Sequence, residues 1–253
     1  MSAAFLLGIG VLGLLSGVMI GCIGIGGVIL VPALAYLMGV PIHAAIAAAM
    51  FAYLVSGAIG TLVFARHKSI RWDMTAWLWI GAMPAALAGA LFASAAPGRV
   101  LELLIGLLTA ASGAHSLLPS SDGHASEDRV LSNPALAGIG AVTGFSSAIT
   151  GTGGPLVLVP ILMWLRMPVL TAIGLSQAIQ LPIAVLATAG NIYAEVLDLE
   201  LGLLIAVGLS LGTWVGARIA HAVPRAVLRT IVSVVLVGVG ALILVRLAQQ
   251  ALS

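Results

Sequence analysis

Apolar residues fill this chain in long runs, and polar ones gather in short breaks between them. The runs cover about 3–38, 42–65, 74–95, 99–118, 134–166, 169–192, 201–220 and 226–246. A helix rises ~1.5 Å per residue, so about 20 residues cross a hydrocarbon core of ~30 Å. Six of the runs therefore predict continuous membrane-spanning helices. The first and fifth are longer, and each is split by a glycine cluster. The longest polar stretch, 120–133, predicts a linker.

Composition agrees with the pattern. Of 253 residues, 61% are hydrophobic and only 7% charged, whereas a soluble domain carries about 25% charge. Mean hydropathy is +1.22. Such a chain cannot wet a globular surface, which excludes a soluble enzyme and implies a lipid bilayer as solvent. The segment MSAAFLLGIG has no positive n-region, so it reads as a retained membrane helix rather than a cleaved signal.

The chain is also similar to itself at a shift of 127 residues. Gly13, Gly17, Gly24, Gly26 and Gly27 fall on Gly140, Gly144, Gly151, Gly153 and Gly154. Gly81, Gly89 and Gly113 fall on Gly208, Gly216 and Gly240, and Pro41 and Pro97 on Pro168 and Pro224. Pro32 meets Pro160 after a one-residue slip, introduced at Pro155 and removed near Arg166. The expected organisation is a first membrane repeat over 1–119, a cytoplasmic linker over 120–133 and a second membrane repeat over 134–253.

Loop charges choose the topology, because Lys and Arg of short loops stay cytoplasmic. If each split segment is a hairpin, every half has an odd number of crossings and the halves are inverted. Arg66, Lys68, Arg71, Arg129, Arg166, Arg218, Arg225 and Arg229 then share one side, and only Arg99 and Arg246 lie opposite. If each split segment crosses once, the cations divide evenly. The hairpin arrangement is expected, with both termini outside the cytoplasm. Inverted repeats with broken helices are common among secondary transporters, which place their site near the midplane.

The glycine clusters are the leading candidates for chemistry. Gly24, Gly26 and Gly27 precede Val31-Pro32, and Thr152, Gly153 and Gly154 precede Pro155 and Val159-Pro160. A helix starting near Gly27 or Pro155 would present N–H donors and about half a positive charge, which suits an anion. Close helix packing is the competing explanation for the same glycines. Ser176, Gln177 and Gln180 lie on one span, the two glutamines three residues apart and so on one face. They can select a solute or simply bond neighbouring helices.

Span centres carry no charge, so no carboxylate proton relay is visible. His43 and His115 lack metal-ligand spacing. The single cysteine, Cys22, excludes an internal disulfide or a cysteine-held metal cluster. No P-loop or nucleophile triad is present, and a net charge of +2 implies no nucleic-acid partner. No cofactor is implied.

Residues 24–50, GIGGVILVPALAYLMGVPIHAAIAAAM, resemble the N-terminal signature of the TauE/SafE (TSUP) sulfite exporter family. HKSIRWDM at 67–74 resembles its next loop. GTGGPLVLVPILMWLRMPVLTAIGLSQAIQLPIA at 151–184 resembles its repeated motif. The family often has a third glycine where this chain has Val28 and Pro155. It often has a Thr-Ser pair where this chain has Ala48-Ala49 and Leu175-Ser176.

The resemblance implies a bacterial inner-membrane carrier of sulfur-containing anions such as sulfite or sulfoacetate. The expected protein is thus an all-α integral membrane protein of two inverted repeats. Each repeat is a Gly-broken hairpin plus three transmembrane helices, and a midplane site works by alternating access. Proton coupling and homodimerisation are left open. A passive anion channel and a non-transporting membrane subunit are the alternative functions.

Overall fold

The structure is a computed structural model that describes residues 3–24, 26–117 and 131–222, together with 224, 227, 230, 234, 237, 238, 241 and 245. Most of the expected last span, 226–246, and most of the linker lie outside the described residues. Among these residues the chain is all helical: α1 (Ala3–Ile23), α2 (Gly27–Tyr36), α3 (Ile42–Arg66), α4 (Trp72–Ala95), α5 (Gly98–Leu117), α6 (Asn133–Thr150), α7 (Pro155–Trp164), α8 (Val169–Tyr193) and α9 (Leu199–Ala222). Five of these, α1, α3, α4, α8 and α9, are long and apolar enough to cross a bilayer. The chain is a multi-pass membrane protein.

Its outside is greasier than its inside. Leu7, Leu15, Val207 and Leu211 are exposed, while Ser56, Thr143, Ser147, Gln177 and Gln180 are fully buried. In lipid, helices gain little by hiding leucine, so small and polar residues collect where helices meet. Trp72, Trp164 and Tyr193, at helix ends, are exposed, as aromatic side chains at the membrane interfaces are.

Helix ends repeat between the halves. Pro41 and Pro168 precede α3 and α8 with nearly the same backbone angles, φ −53 and −57 at ψ 137. Left-handed residues occur in pairs 127 apart: Gly24 with Gly151, Gly39 with Arg166, and Lys68 with Glu195. The helices α2 and α7 start 128 residues apart, and α3 and α8 again 127 apart. The expected slip is therefore present, absorbed in the turn before α8. Among the described residues Gly153 and Gly154 are left-handed without a partner in the first half, and glycine adopts such angles freely.

The first split segment is a hairpin. Gly26 lies against Ser16 and Ile20 of α1, and Met38, just past α2, reaches Gly8 near the start of α1. The major helix contacts run between halves. Gly13, Gly17 and Gly21 of α1 meet Gly208, Gly212 and Gly216 of α9, rising together, so these helices are parallel. A Cβ on Gly17 would lie 3.0 Å from the Gly212 Cα.

The pair α4 and α6 is parallel as well, with Gly81 beside Ala137 and Gly89 beside Ala148. In contrast α3 and α8 are antiparallel: Gly57 faces Leu181 and Gly60 faces Gln177. Ser69 touches Gly174 and His221, which gathers the loop of Arg66, Lys68 and Arg71 with the start of α8 and the end of α9. Gly98 touches Ile42 and His43 at the other end of the bundle. That end also carries Glu195, Asp198 and Glu200 around the α8–α9 turn.

Candidate functional site

The two glycine breaks meet in the middle of the bundle. A Cβ on Gly27 would lie 2.7 Å from the Thr152 carbonyl oxygen and 2.5 Å from the Tyr53 hydroxyl oxygen. A Cβ on Gly24 would lie 3.2 Å from Pro155 and 3.1 Å from the Ser176 hydroxyl. Only hydrogen fits at Gly27, and at Gly24 the tight fit is joined by a left-handed backbone, φ +82. Both α1 and α6 end on a left-handed glycine, Gly24 and Gly151, whose N–H groups bond back to Ile20 (2.8 Å) and Ser147 (2.9 Å). Such a residue stops a helix and turns the chain.

The helices that follow, α2 and α7, begin at Gly27 and Pro155 as the sequence suggests. Neither has a side-chain cap. Each start carries roughly half a positive charge. Two such ends side by side repel each other, most strongly where water is excluded. An anion between them removes that repulsion.

Side chains close around the breaks. Tyr53 of α3 is fully buried and donates to the Gly151 carbonyl at 3.1 Å. Its ring lies against Gly153, where a Cβ would come within 3.0 Å. Thr150 donates to the Ser146 carbonyl (2.7 Å), so the Thr152 hydroxyl donates to Thr150 at 2.8 Å. Ser176 donates to Ile173 (2.7 Å). Gln177 donates to the Ile20 carbonyl on α1 at 2.6 Å, and Gln180 to Ser56 at 3.4 Å.

Both glutamine Oε1 atoms are buried with no partner. A buried polar atom without a partner costs about 1–3 kcal/mol. An amide can also turn over to offer its NH2 instead. Two such groups on one face, beside two uncapped helix starts, can hold a small solute that both accepts and donates hydrogen bonds.

Proline explains why α8 can hold these groups where it does. Pro182 lacks an N–H, so the Ala178 carbonyl four residues back has no helical donor. The Trp79 indole of α4 donates to that carbonyl at 3.0 Å. Thr61 of α3 donates to the neighbouring Gln177 carbonyl at 2.9 Å. The helix stays continuous but lacks the ladder bond to the Ala178 carbonyl, and α3 and α4 bond it at that point.

Of the residues singled out in the sequence, Gly24, Gly27, Thr152, Gly153, Ser176, Gln177 and Gln180 converge on this place. Gly26 instead lies on Ser16 and Ile20 of its own hairpin, and Gly154 on Ile179, Ile183 and Thr143. Tyr53, Ser56, Thr61 and Trp79 belong to the same place and carry no motif of their own. Tyr53 is the repeat equivalent of Gln180, which is the one sequence signal that points to it. Cys22 is a free, buried cysteine packed against Val28, Leu156 and Val157. Among the described residues, no group of three or more His, Cys, Asp or Glu could hold a metal ion.

A family model described as "Sulfite exporter TauE/SafE" matches residues 9–243. No curated protein and no solved structure matches the chain.

Proposed function

The chain belongs to the sulfite exporter TauE/SafE family, and from that premise we propose that it is a secondary carrier that exports a small sulfur-containing anion. The observation that carries the reading is the meeting of the two glycine breaks, Gly27 on Thr152 and Gly24 on Pro155. It brings two uncapped helix starts together beside Gln177 and Gln180. In this reading, backbone N–H groups near Gly26, Gly27, Gly153 and Gly154, at the two helix starts, hold the charge, and Gly24 turns the chain beside them. Thr152, Ser176, Gln177 and Gln180 select the shape.

The halves act as inverted repeats. Support comes from the antiparallel course of the equivalent helices α3 and α8. It comes also from the reciprocal pairing of α1 with α9 and α4 with α6. Rocking of one repeat against the other would expose the site alternately to each face. The protein would sit in a bacterial inner membrane with its basic loops in the cytoplasm and both termini in the periplasm.

The test is anion flux in proteoliposomes, comparing sulfite, sulfate, thiosulfate, sulfoacetate and chloride, with and without a proton gradient. Saturable flux that favours sulfur oxyanions is expected, and its response to the gradient gives the coupling. Flux that rises linearly with concentration would replace the carrier by a channel. No flux of any anion would replace it by a non-transporting membrane subunit.

A further inference from the structure

Two places in the fold are equivalent under the 127-residue shift and yet are built differently. The first is a shallow cleft on the acidic end of the bundle, lined by His43, Ile46, Ala93, Ser94, Asn191 and Val196. It is too tight to admit a water molecule as it stands. The His43 ring donates to the Ala96 carbonyl at 2.9 Å, and Ser94 to the Leu91 carbonyl at 2.8 Å. Asn191 is 2% exposed, and its amide nitrogen has no partner.

Ile46 forms the floor of this cleft and also touches the paired breaks. A Cβ on Gly151 would lie 3.2 Å from the Ile46 Cα. Ile46 therefore adjoins both the cleft and the candidate site.

The equivalent residues on the basic end are Leu170, Ile173, Ala220, His221, Phe64 and Ser69. Phe64, Ile173 and Ala220 form a buried apolar cluster with Leu170 packed on it. Phe64 stands where Asn191 stands in the other half and is fully buried. His221 closes the cluster from outside. Its ring lies 4.8 Å from Phe64 and stacks on His67 at 4.0 Å, and it is 3.3 Å from the Ser69 hydroxyl.

We propose that the His43–Asn191 cleft is the mouth through which the solute passes between the acidic face and the paired breaks, and that Phe64 with His221 is the plug of the equivalent mouth on the basic face. The inference rests on the carrier reading above. The mouth is closed by side chains alone, with Ile46 beside His43 and Asn191, and opens when they turn aside. The apolar plug opens only when α3 and α9 separate. The buried Asn191 amide gives a passing oxyanion a hydrogen-bond donor that nothing else uses.

The repeat supplies its own control, because Ala93 and Ala220 are equivalent and both small. Each is replaced by cysteine, and labelling by a membrane-impermeant methanethiosulfonate is followed in sealed vesicles of known orientation. Wild-type protein, with Cys22 alone, sets the background. Ala93→Cys should react from the acidic face. Ala220→Cys should react at least about tenfold more slowly from either face, since the rate follows the fraction of molecules in which the thiol is reachable. Phe64→Ala should then speed Ala220→Cys from the basic face.

An inert Ala93→Cys, or an Ala220→Cys as fast as Ala93→Cys, overturns the assignment of the mouth. An Ala220→Cys that ignores Phe64→Ala overturns the plug. Ile46→Cys repeats the first test should Ala93→Cys fail to accumulate. Labelling as expected without anion flux would leave the path intact and remove the anion. Flux without labelling would leave the carrier intact and remove the path.

Discussion

At the scale of the residue, the candidate site is defined by what has been left out of it. Gly27 touches Tyr53 and the Thr152 backbone so closely that a single methyl group collides with both. Gly10, in contrast, has nothing within 4 Å of its would-be Cβ. Forcing one carbon into a tight core costs about 1–3 kcal/mol. Gly27→Ala should push the two breaks apart, lower thermal stability in detergent and abolish flux, while Gly10→Ala leaves both unchanged. Equal flux from the two variants would mean that contact between the breaks is unimportant for transport.

The same comparison shows how far single residues could be read beforehand. The glycine clusters stood out because eight glycines recur at one offset. Which face of each glycine meets the opposite break depends on where the helix starts, and Gly26 and Gly27 differ by one residue in that start. Tyr53 carries one signal in the sequence, its equivalence to Gln180 under the 127-residue shift. Its role is fixed by a hydrogen bond to Gly151, 98 residues away.

At the scale of the element, α8 is the most informative helix. Pro182 removes one donor from its ladder, and Trp79 supplies another from α4. The pairing could not be read from the sequence. Proline is common in membrane helices, and the partner for the freed carbonyl lay on a helix about 100 residues distant. Trp79→Phe keeps the ring and deletes the donor, leaving the Ala178 carbonyl bare at a cost of about 1–3 kcal/mol. Pro182→Ala should restore the helix's own N–H and make Trp79→Phe nearly harmless. A double-mutant cycle of melting temperatures measures this coupling. Additive losses would show that Trp79 supports α8 by packing alone.

At the scale of the whole molecule, the two halves are tied together by exchange. Each gives its split segment to the fourth helix of the other, α1 to α9 and α6 to α4. Glycine ladders permit this, 13-17-21 and 208-212-216, and of their members Gly13, Gly17, Gly208 and Gly216 stand out in the sequence by recurring at the 127-residue offset. Their mutual fit does not, because a ladder of small residues matches any other ladder of the same spacing. Parallel pairing of α1 with α9 and antiparallel pairing of α3 with α8 can both hold only if the first split segment returns to its starting side. Were it a single crossing, α3 and α8 would run the same way, and Gly60 could not face Gln177 while Gly57 faces Leu181.

In the proposed inverted-repeat arrangement the equivalent turns at Lys68 and Glu195 lie on opposite faces of the membrane. Cysteines placed at His67 and Leu197, one beside each turn, should therefore label with an impermeant reagent from opposite sides of oriented vesicles. Both are a few residues from a charged side chain and outside the packed core, so each variant should fold. Labelling from a single side would require parallel halves. It would also dissolve the case for two helix starts facing one another, since α2 and α7 would then point the same way and leave no shared place for an anion.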